Sequence, residues 1–472
     1  MGDEISQTEF SAEIFEEFRN RLDMETVILQ QWVDDGRLHC KKPWAGAELE
    51  AWLVDNKGYP SPSNDSFLAR LNNDLVVPEL AKFNLELNTD PLEIAPGFLE
   101  KMHHNMLTLW QSCERAAAVD GNSMMMTGIL PTIRQSDLSM ENQSDMKRYL
   151  ALNEQIFRMR NGAPLHLNIQ GREHLELDHY DVMLEAAATS FQIHYKVDID
   201  MAVHAYNASR ILSAPIVAMA ANSPFLFGHD LWAETRIPVF EQAVQVGGSA
   251  YSNRVSFGLR HVSNSIMDCF EVNRTRYPSL LPHLMDSQPE ELAHLRLHNG
   301  TIWRWNRPLV GFDGSGNPHI RIEHRVAAAG PSMIDVVANA AFYFGALTAL
   351  LENPEWIEQS IPNRSAARNF YQCAEHGLDA NVIWNDGDSG PVSELIIAKL
   401  IPLAKQGLMS IGYTSSDADY WLDILQQRTE SGINGATWQR NWVDQHGKDF
   451  DQLTLSYLEN QATNKPVHSW KI

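Results

Sequence analysis

The chain has 472 residues, of which 44% are hydrophobic and 21% are charged, as in an ordinary globular protein with one large domain or two to three smaller ones. Its 60 acidic and 37 basic side chains give a net charge of −23, which disfavours nonspecific binding to nucleic acid or to anionic membranes. The four cysteines, Cys40, Cys113, Cys269 and Cys373, lie far apart, so neither a zinc ribbon nor a disulfide scaffold is indicated and a reducing cytoplasm is favoured.

Apolar periodicity predicts helices and strands that alternate along most of the chain. The predicted helices cover 8–35, 65–75, 97–119, 144–159, 178–189, 199–221, 331–351, 392–406 and 416–430. The predicted strands cover 44–55, 83–89, 124–130, 161–171, 190–197, 247–263 and 319–326. The most apolar long stretch, Met333–Leu351, contains Asp335 and Asn339, so we expect a buried helix and not a membrane span.

Four of the predicted strands carry polar groups two residues apart. Residues i and i+2 of a strand point to the same side, so each segment turns its polar groups to one face and its apolar residues to the other. For any single segment, a solvated outer face of a sheet is the more common explanation of the pattern. The polar groups are Glu48 and Glu50, then Glu86 and Asn88, then Gln192 and His194, and finally Arg321, Glu323 and Arg325.

Energetics limits what such a face can be if the four strands share one concave sheet. An unpaired buried carboxylate costs several kcal/mol, and four of them would exceed the roughly 5 to 15 kcal/mol by which a domain is stable. Either the polar face is solvated and binds cationic ligands, or the four strands do not share one sheet. Carboxylates with one imidazole suit Mg²⁺ or Mn²⁺, and Arg321 and Arg325 suit the oxygens of a polyphosphate.

The amino-acid sequences of five segments, and their order along the chain, resemble those of the glutamate–cysteine ligase superfamily, in particular its carboxylate–amine ligase branch. The motifs span residues 46 to 325 and are fairly specific only in combination. They read GAELEAWLVD, FNLELNTDP, SFQIHYKV, ANSPFLFG followed by LWAETRIPVFEQ, and RIEHR.

The resemblance implies an α+β fold with a curved antiparallel sheet that forms a funnel, related to glutamine synthetase and the guanidino kinases, with helices outside. It implies that Mg²⁺ ions are held against ATP, the co-substrate, by acids on the first, second and last strands. It also implies a metal-binding histidine and a phosphate-facing arginine. The matching residues here are Glu48, Glu50, Glu86 and Glu323, then His194, and then Arg325.

The second-strand motif departs from the best-studied ligases. Further carboxylates beyond Glu86 are reduced to Asp90 and Glu93, which leaves a third metal site in doubt. Asn88 and Gln192 are expected to orient substrate or metal ligands.

Two more arginines are candidates for binding a substrate carboxylate. Arg236 and Arg254 could recognise that group in bidentate fashion, although an ion pair explains either residue equally well.

The sequence thus predicts a catalytic domain over 1–360 and a helical C-terminal portion over 361–472 packed on it. The expected function is Mg-dependent, ATP-driven joining of a carboxylate, such as the γ-carboxylate of glutamate, to an amine such as cysteine, as in glutathione biosynthesis. Its partners would be small molecules, with no nucleic acid and no membrane; a homo-oligomer stays an open alternative to a monomer. Two other functions stay open: phosphotransfer to a guanidino or carboxylate acceptor, and noncatalytic sensing of nucleotides or amino acids.

Overall fold

A computed structural model describes residues 4–247, 253–258, 260–354, 361–384 and 387–472. The helices are α1 (Ala12–Asp34), α2 (Asn64–Leu71), α3 (Phe98–Ala118), α4 (Lys147–Met159), α5 (Ala202–Ala220), α6 (Arg236–Ala243), α7 (Met267–Arg276), α8 (Ala293–Gly300), α9 (Met333–Leu351), α10 (Asn363–His376), α11 (Val392–Leu395), α12 (Ile401–Ile411), α13 (Ser415–Ser431), α14 (Gly435–His446) and α15 (Phe450–Ala462). The strands are β1 (Trp44–Val54), β2 (Val76–Pro78), β3 (Asn84–Asn88), β4 (Leu92–Glu93), β5 (Ser123–Met125), β6 (Leu165–Gln170), β7 (His174–His179), β8 (Ser190–Val197), β9 (Phe225–Leu226), β10 (His229–Asp230), β11 (Asn306–Phe312), β12 (Pro318–Ala328), β13 (Asn381–Trp384) and β14 (Asp388–Pro391).

The main sheet is antiparallel and strongly curled, in the order β11-β12-β8-β1-β3-β2, with β4 and β5 also paired to β1. The four polar strands are therefore neighbours in one sheet. Glu48 lies opposite both Asn88 and Gln192, and Glu323 lies opposite His194. This register brings the predicted polar groups onto one face and confirms the predicted α+β class.

The opposite face of the sheet carries the apolar residues and is covered by helices. Leu49, Ile193 and Ile322 are fully buried there. Helix α5 packs on β12, and α9 packs on α5. Because this face is sealed, the polar face is the one left to form a cleft.

Helices from the last 110 residues pack on the same core. In helix α13, Arg428 donates to Asp335 of α9 at 2.7 Å, and both side chains are buried. Helix α12 crosses α9 closely, since a Cβ added at Gly407 would lie 1.8 Å from the Gly345 carbonyl oxygen. The apolar helix α9 is long enough to cross a membrane, but 83% of its most apolar window is buried within the protein, as predicted.

Seven of the predicted helices are confirmed as α1 to α5, α9 and α13, within a few residues at most ends. The predicted helix over 178–189 is only a 3-10 segment, Val182–Ala187. The predicted strand over 124–130 ends at Met125, because the Gly128 backbone bonds Asn222 and Thr189 instead of a strand.

The strand predicted over 247–263 is wrong for the described residues there, where only an isolated bridge joins Ser256 to Arg304. Residues 248–252 and 259 lie outside the described part. The alternation arises because Val255 and Phe257 are buried from a loop, Phe257 against Phe370.

Candidate active site

Glu48, His194 and Glu323 form one cluster on the polar face. One potential ligand atom from each lies within 4.8 Å of the others. The His194 Nε2 atom is 3.1 Å from Glu48 and 3.9 Å from Glu323. Burial opposes ionisation of Glu48, but His194 lowers the pKa of this carboxyl to about 2.

The tautomer of His194 follows from its other nitrogen. Nδ1 accepts a hydrogen bond from Arg321 Nε at 3.0 Å, so a neutral ring carries its proton on Nε2. That proton faces the two carboxylates. To bind a cation through Nε2, the ring would have to move its proton to Nδ1 and Arg321 would have to release it.

Glu50, Glu79 and Glu86 form a second cluster, again with ligand atoms within 4.8 Å. Burial raises the pKa of Glu50 to about 7, with Glu86 adding to the effect and Arg325 opposing it. Burial also raises the pKa of Glu86, and raises that of Glu79 well above its usual range. Three carboxylates so close together require bound protons or a cation.

Two amides orient these carboxylates. Gln192 donates to Glu50 at 2.8 Å, and Asn88 donates to Glu86 at 3.0 Å. Both amides hydrogen-bond a predicted metal ligand, so their positions suit the expected role of orienting metal ligands.

Arginines surround Glu323 at the other end of the face. Arg307 forks onto the carboxylate, with Nε at 2.5 Å and Nη2 at 3.2 Å, and Arg325 donates to it at 3.1 Å. Burial opposes ionisation, but Arg307, Arg325 and His194 lower the pKa of Glu323 far below its usual range. This acid is therefore charged at any working pH.

A β-bulge aims Arg325 into the cleft. The register of β12 against β8 shifts between His324 and Ala327, so Arg325 and Val326 together oppose Gln192. Arg325 donates to Gln192 Oε1, yet among the described residues its buried Nε has no hydrogen-bond partner. Bulges commonly re-aim side chains beside active sites.

Both predicted substrate-binding arginines lie outside the cleft. Arg236 pairs with buried Glu234 and donates to the carbonyls of Arg325 and Val326. Arg254 donates to the carbonyls of Thr301 and Pro278. Neither side chain lines the cleft, because both guanidinium groups hydrogen-bond backbone carbonyls elsewhere in the fold.

The cleft has a volume of about 270 Å³. It brings together Glu48, Glu50, Glu86, Gln192, Arg321, Glu323 and Arg325 from the predicted set. It also contains polar residues outside the predicted set, among them Glu79, Arg148, Glu185, Arg296 and Arg307. Among these, burial and Glu50 raise the pKa of Glu185 to about 8.

Part of this missed set left a signal in the sequence. Arg307 follows an aromatic segment, and β11 places it opposite Glu323. Glu79 follows Pro78 at the end of a three-residue strand, and Glu185 lies in a 3-10 turn. Neither Glu79 nor Glu185 lies in a periodic polar pattern that would predict where its side chain points.

The donor set suits divalent cations. Clustered carboxylates with at most one imidazole match the oxygen preference of Mg²⁺ and Mn²⁺. Glu79 and Glu86 hydrogen-bond one another, which two carboxyl groups can do only if one of them holds a proton. A cation at the second cluster would therefore displace that proton, and a cation at the first would need the His194 proton to move from Nε2 to Nδ1.

The family model described as glutamate–cysteine ligase family 2 matches residues 44–455. Among curated proteins, no significant match was found.

Solved structures include similar folds. The chain is similar to glutamate–cysteine ligase from Francisella tularensis in complex with AMP, with a TM-score of 0.58 and 12% identity, over 92% of this chain and 96% of that one. It is also similar to a bifunctional glutathione synthetase from Pasteurella multocida, with a TM-score of 0.53 and 12% identity, over 92% of this chain. The match spans 54% of that longer protein. At this identity the likeness shows the fold alone.

Proposed function

Because the chain belongs to glutamate–cysteine ligase family 2, we propose that it is a Mg-dependent, ATP-driven ligase that joins a carboxylate to an amine. The carboxylate is proposed to be the γ-carboxylate of glutamate, and the amine an amino compound such as cysteine. The observation that carries the proposal is the pair of acidic clusters side by side in one cleft with Arg307, Arg321 and Arg325.

The proposed reaction has two steps. A substrate carboxylate oxygen attacks the γ-phosphorus of ATP, the bond to the β-phosphate oxygen breaks, and ADP leaves with an acyl phosphate formed. The amine nitrogen then attacks the acyl carbon, inorganic phosphate leaves, and the nitrogen loses a proton to give the amide. Neither step needs an oxidant or reductant, so alignment and charge neutralisation are the main tasks of the protein.

The acidic side chains would hold the cations. Glu50, Glu79 and Glu86 would form one site, and Glu48 with Glu323 would form another. Bound Mg²⁺ or Mn²⁺ would supply positive charge to the phosphate oxygens of ATP.

The arginines would stabilise the phosphoryl group as it is transferred. Arg325 has an unused buried Nε, which suits the charge that builds up on the transferring phosphoryl oxygens. Arg321 would turn from His194 to the polyphosphate, which would let the ring hold its proton on Nδ1 and offer Nε2 to a cation.

Arg307 lines the cleft beside Glu323. Its fork on Glu323 would keep that carboxylate ionised and fixed in direction.

The test is ADP formation from ATP and Mg²⁺ with glutamate alone and with a panel of amines that includes cysteine. We expect ADP only when acid and amine are both present, with an amide product and phosphate in equal amounts. Glu323→Gln should reduce the rate by at least about a hundredfold, the scale of losing an electrostatic catalytic group. Glu176→Gln, an exposed carboxylate on β7 outside the cleft, is the matched control and should be fully active.

Other outcomes separate the alternatives. A stable phosphorylated acceptor without amide would make the protein a phosphotransferase. ATP binding without turnover of any pair would contradict the ligase proposal and favour a sensing role.

A further inference from the structure

A second cavity, of about 330 Å³, lies next to the cleft and takes no part in the proposed reaction. Its size falls within the roughly 300 to 1,000 Å³ typical of small-molecule sites. Much of its lining is apolar, from Val255, Phe257, Val262, Val272 and Ala367. It is therefore a built pocket that an apolar body can fill.

The feature that points to a ligand is Arg304. This side chain lines the cavity, yet only 8% of the residue is exposed. Within the described part of the chain, its Nε atom has no hydrogen-bond partner and no carboxylate lies within ion-pair distance. The guanidinium hydrogen-bonds the side chains of Tyr206 and Tyr277, and the Tyr277 ring lies 5.8 Å from the guanidinium carbon. Neutral tyrosines are weak substitutes for an anion.

A second buried guanidinium adds to the positive charge. Arg210 is fully buried and is close enough to Arg304 to repel it. It donates to the carbonyls of Phe257, Gly258 and Arg260, and to the Asn363 amide oxygen, but to no carboxylate among the described residues. Burying two cations without a neutralising anion costs free energy, which a bound anion would offset.

Two acidic side chains line the described part of the cavity, but neither neutralises Arg304. Glu241 accepts hydrogen bonds from Trp305 and Tyr371 at 2.8 and 2.7 Å, and burial raises the pKa of this carboxyl to about 7. Asp268 also lines the cavity and is half-buried. Neither pairs with Arg304.

We propose that this cavity is a second ligand site that binds a small organic carboxylate, with Arg304 receiving the carboxylate and the apolar walls receiving the body of the molecule. A planar guanidinium suits a carboxylate because the two groups form parallel hydrogen bonds. The apolar lining favours an organic acid over an inorganic anion such as phosphate.

The site shares a wall with the cleft but is distinct from it. Phe240 and Trp303 face the cleft, whereas their chain neighbours Glu241 and Arg304 face the second cavity. A variant at Arg304 therefore leaves the acidic clusters in place, and the two sites can be tested separately.

The experiment is a titration of the full-length protein with sodium benzoate, followed by saturation-transfer NMR. Benzyl alcohol is the neutral control of similar shape, and phosphate is the inorganic control. We expect benzoate to bind, benzyl alcohol and phosphate to bind at least about tenfold more weakly, and Arg304→Gln to weaken benzoate by at least about tenfold. Arg325→Gln, in the cleft, should leave benzoate binding unchanged.

Four results would overturn the proposal. They are no binding of benzoate to the unaltered protein, equal binding of benzyl alcohol, equal or tighter binding of phosphate, and benzoate binding that Arg304→Gln leaves unchanged. If Arg304→Gln does not fold, a crystal of the unaltered protein soaked in 4-bromobenzoate gives the answer. Anomalous scattering from bromine beside Arg304 supports the site, and bromine found only elsewhere refutes it.

Discussion

Glu50→Gln should change how the stability of the protein depends on pH. Burial raises the pKa of Glu50 from 4.5 to about 7 in the folded protein, while the unfolded chain keeps the ordinary value. The folded state therefore holds this proton more tightly. The resulting stabilisation is fully present below about pH 4.5 and is lost as the pH rises through about 7.

The size of the effect follows from the shift. At about 1.4 kcal/mol per pKa unit, the rise at Glu50 corresponds to a loss of about 3 kcal/mol between pH 4.5 and 8. Gln at this position has no proton to lose. The free energy of unfolding of the unaltered protein, minus that of Glu50→Gln, should thus fall by about 3 kcal/mol across this range.

The assay is urea unfolding in EDTA at pH 5, 6, 7 and 8, after reversibility has been checked. Histidines with lowered pKa, such as buried His298 and half-buried His319, titrate in both proteins and cancel in the difference. Adding Mg²⁺ at pH 8 should restore stability to the unaltered protein, because a cation binds the ionised cluster of the folded state. A difference that stays flat or rises with pH would refute the reasoning.

Three further predictions follow from other contacts. Arg307→Met should leave buried Glu323 without its fork and lower the free energy of unfolding at pH 7 by about 3 to 5 kcal/mol, measured in urea. Glu79→Gln should weaken Mg²⁺ binding, measured by calorimetry, by at least about tenfold, because it removes one of three carboxylates. Gly407→Ala should lower the unfolding free energy by at least about 1 to 3 kcal/mol despite its better helix propensity, since the added Cβ would meet the Gly345 carbonyl.

Each has a control and a contrary outcome. Arg307→Lys keeps a charge but loses the fork, so a loss equal to that of Arg307→Met would assign the effect to geometry alone. Equal Mg²⁺ affinity in Glu79→Gln and Glu176→Gln would exclude Glu79 as a ligand. Gly314→Ala, where nothing lies within 4 Å of an added Cβ, should be near neutral, and an equal loss there would contradict the close-crossing argument.

The acids of the main sheet could be predicted from the sequence. A period of two residues with charged groups on one side is a local property, so Glu48, Glu50, Glu86 and Glu323 could each be placed on the polar side of its own strand before any pairing was known. The resemblance added that these strands share one curved antiparallel sheet. The motifs behind it ended at residue 325, whereas the family match continues to residue 455.

The residues that were missed depend on pairing between distant segments. Glu79 reaches the cleft because β2 pairs with β3, and Arg307 because β11 pairs with β12. Arg236 and Arg254 were placed by residue type alone, and type does not tell a ligand-binding arginine from one that ties backbone carbonyls together. Nor could the shared wall between the two cavities be read from local patterns.

The two acidic clusters are linked through a single strand, with Glu48 in one and Glu50 in the other. Side chains two residues apart on an extended strand are separated by about 7 Å, a length fixed by bond geometry and not by packing. Strand β1 thus acts as a ruler between the two proposed cation sites. Loop changes elsewhere can alter which molecules enter the cleft, but the spacing on β1 can change only if the central strand itself is rebuilt.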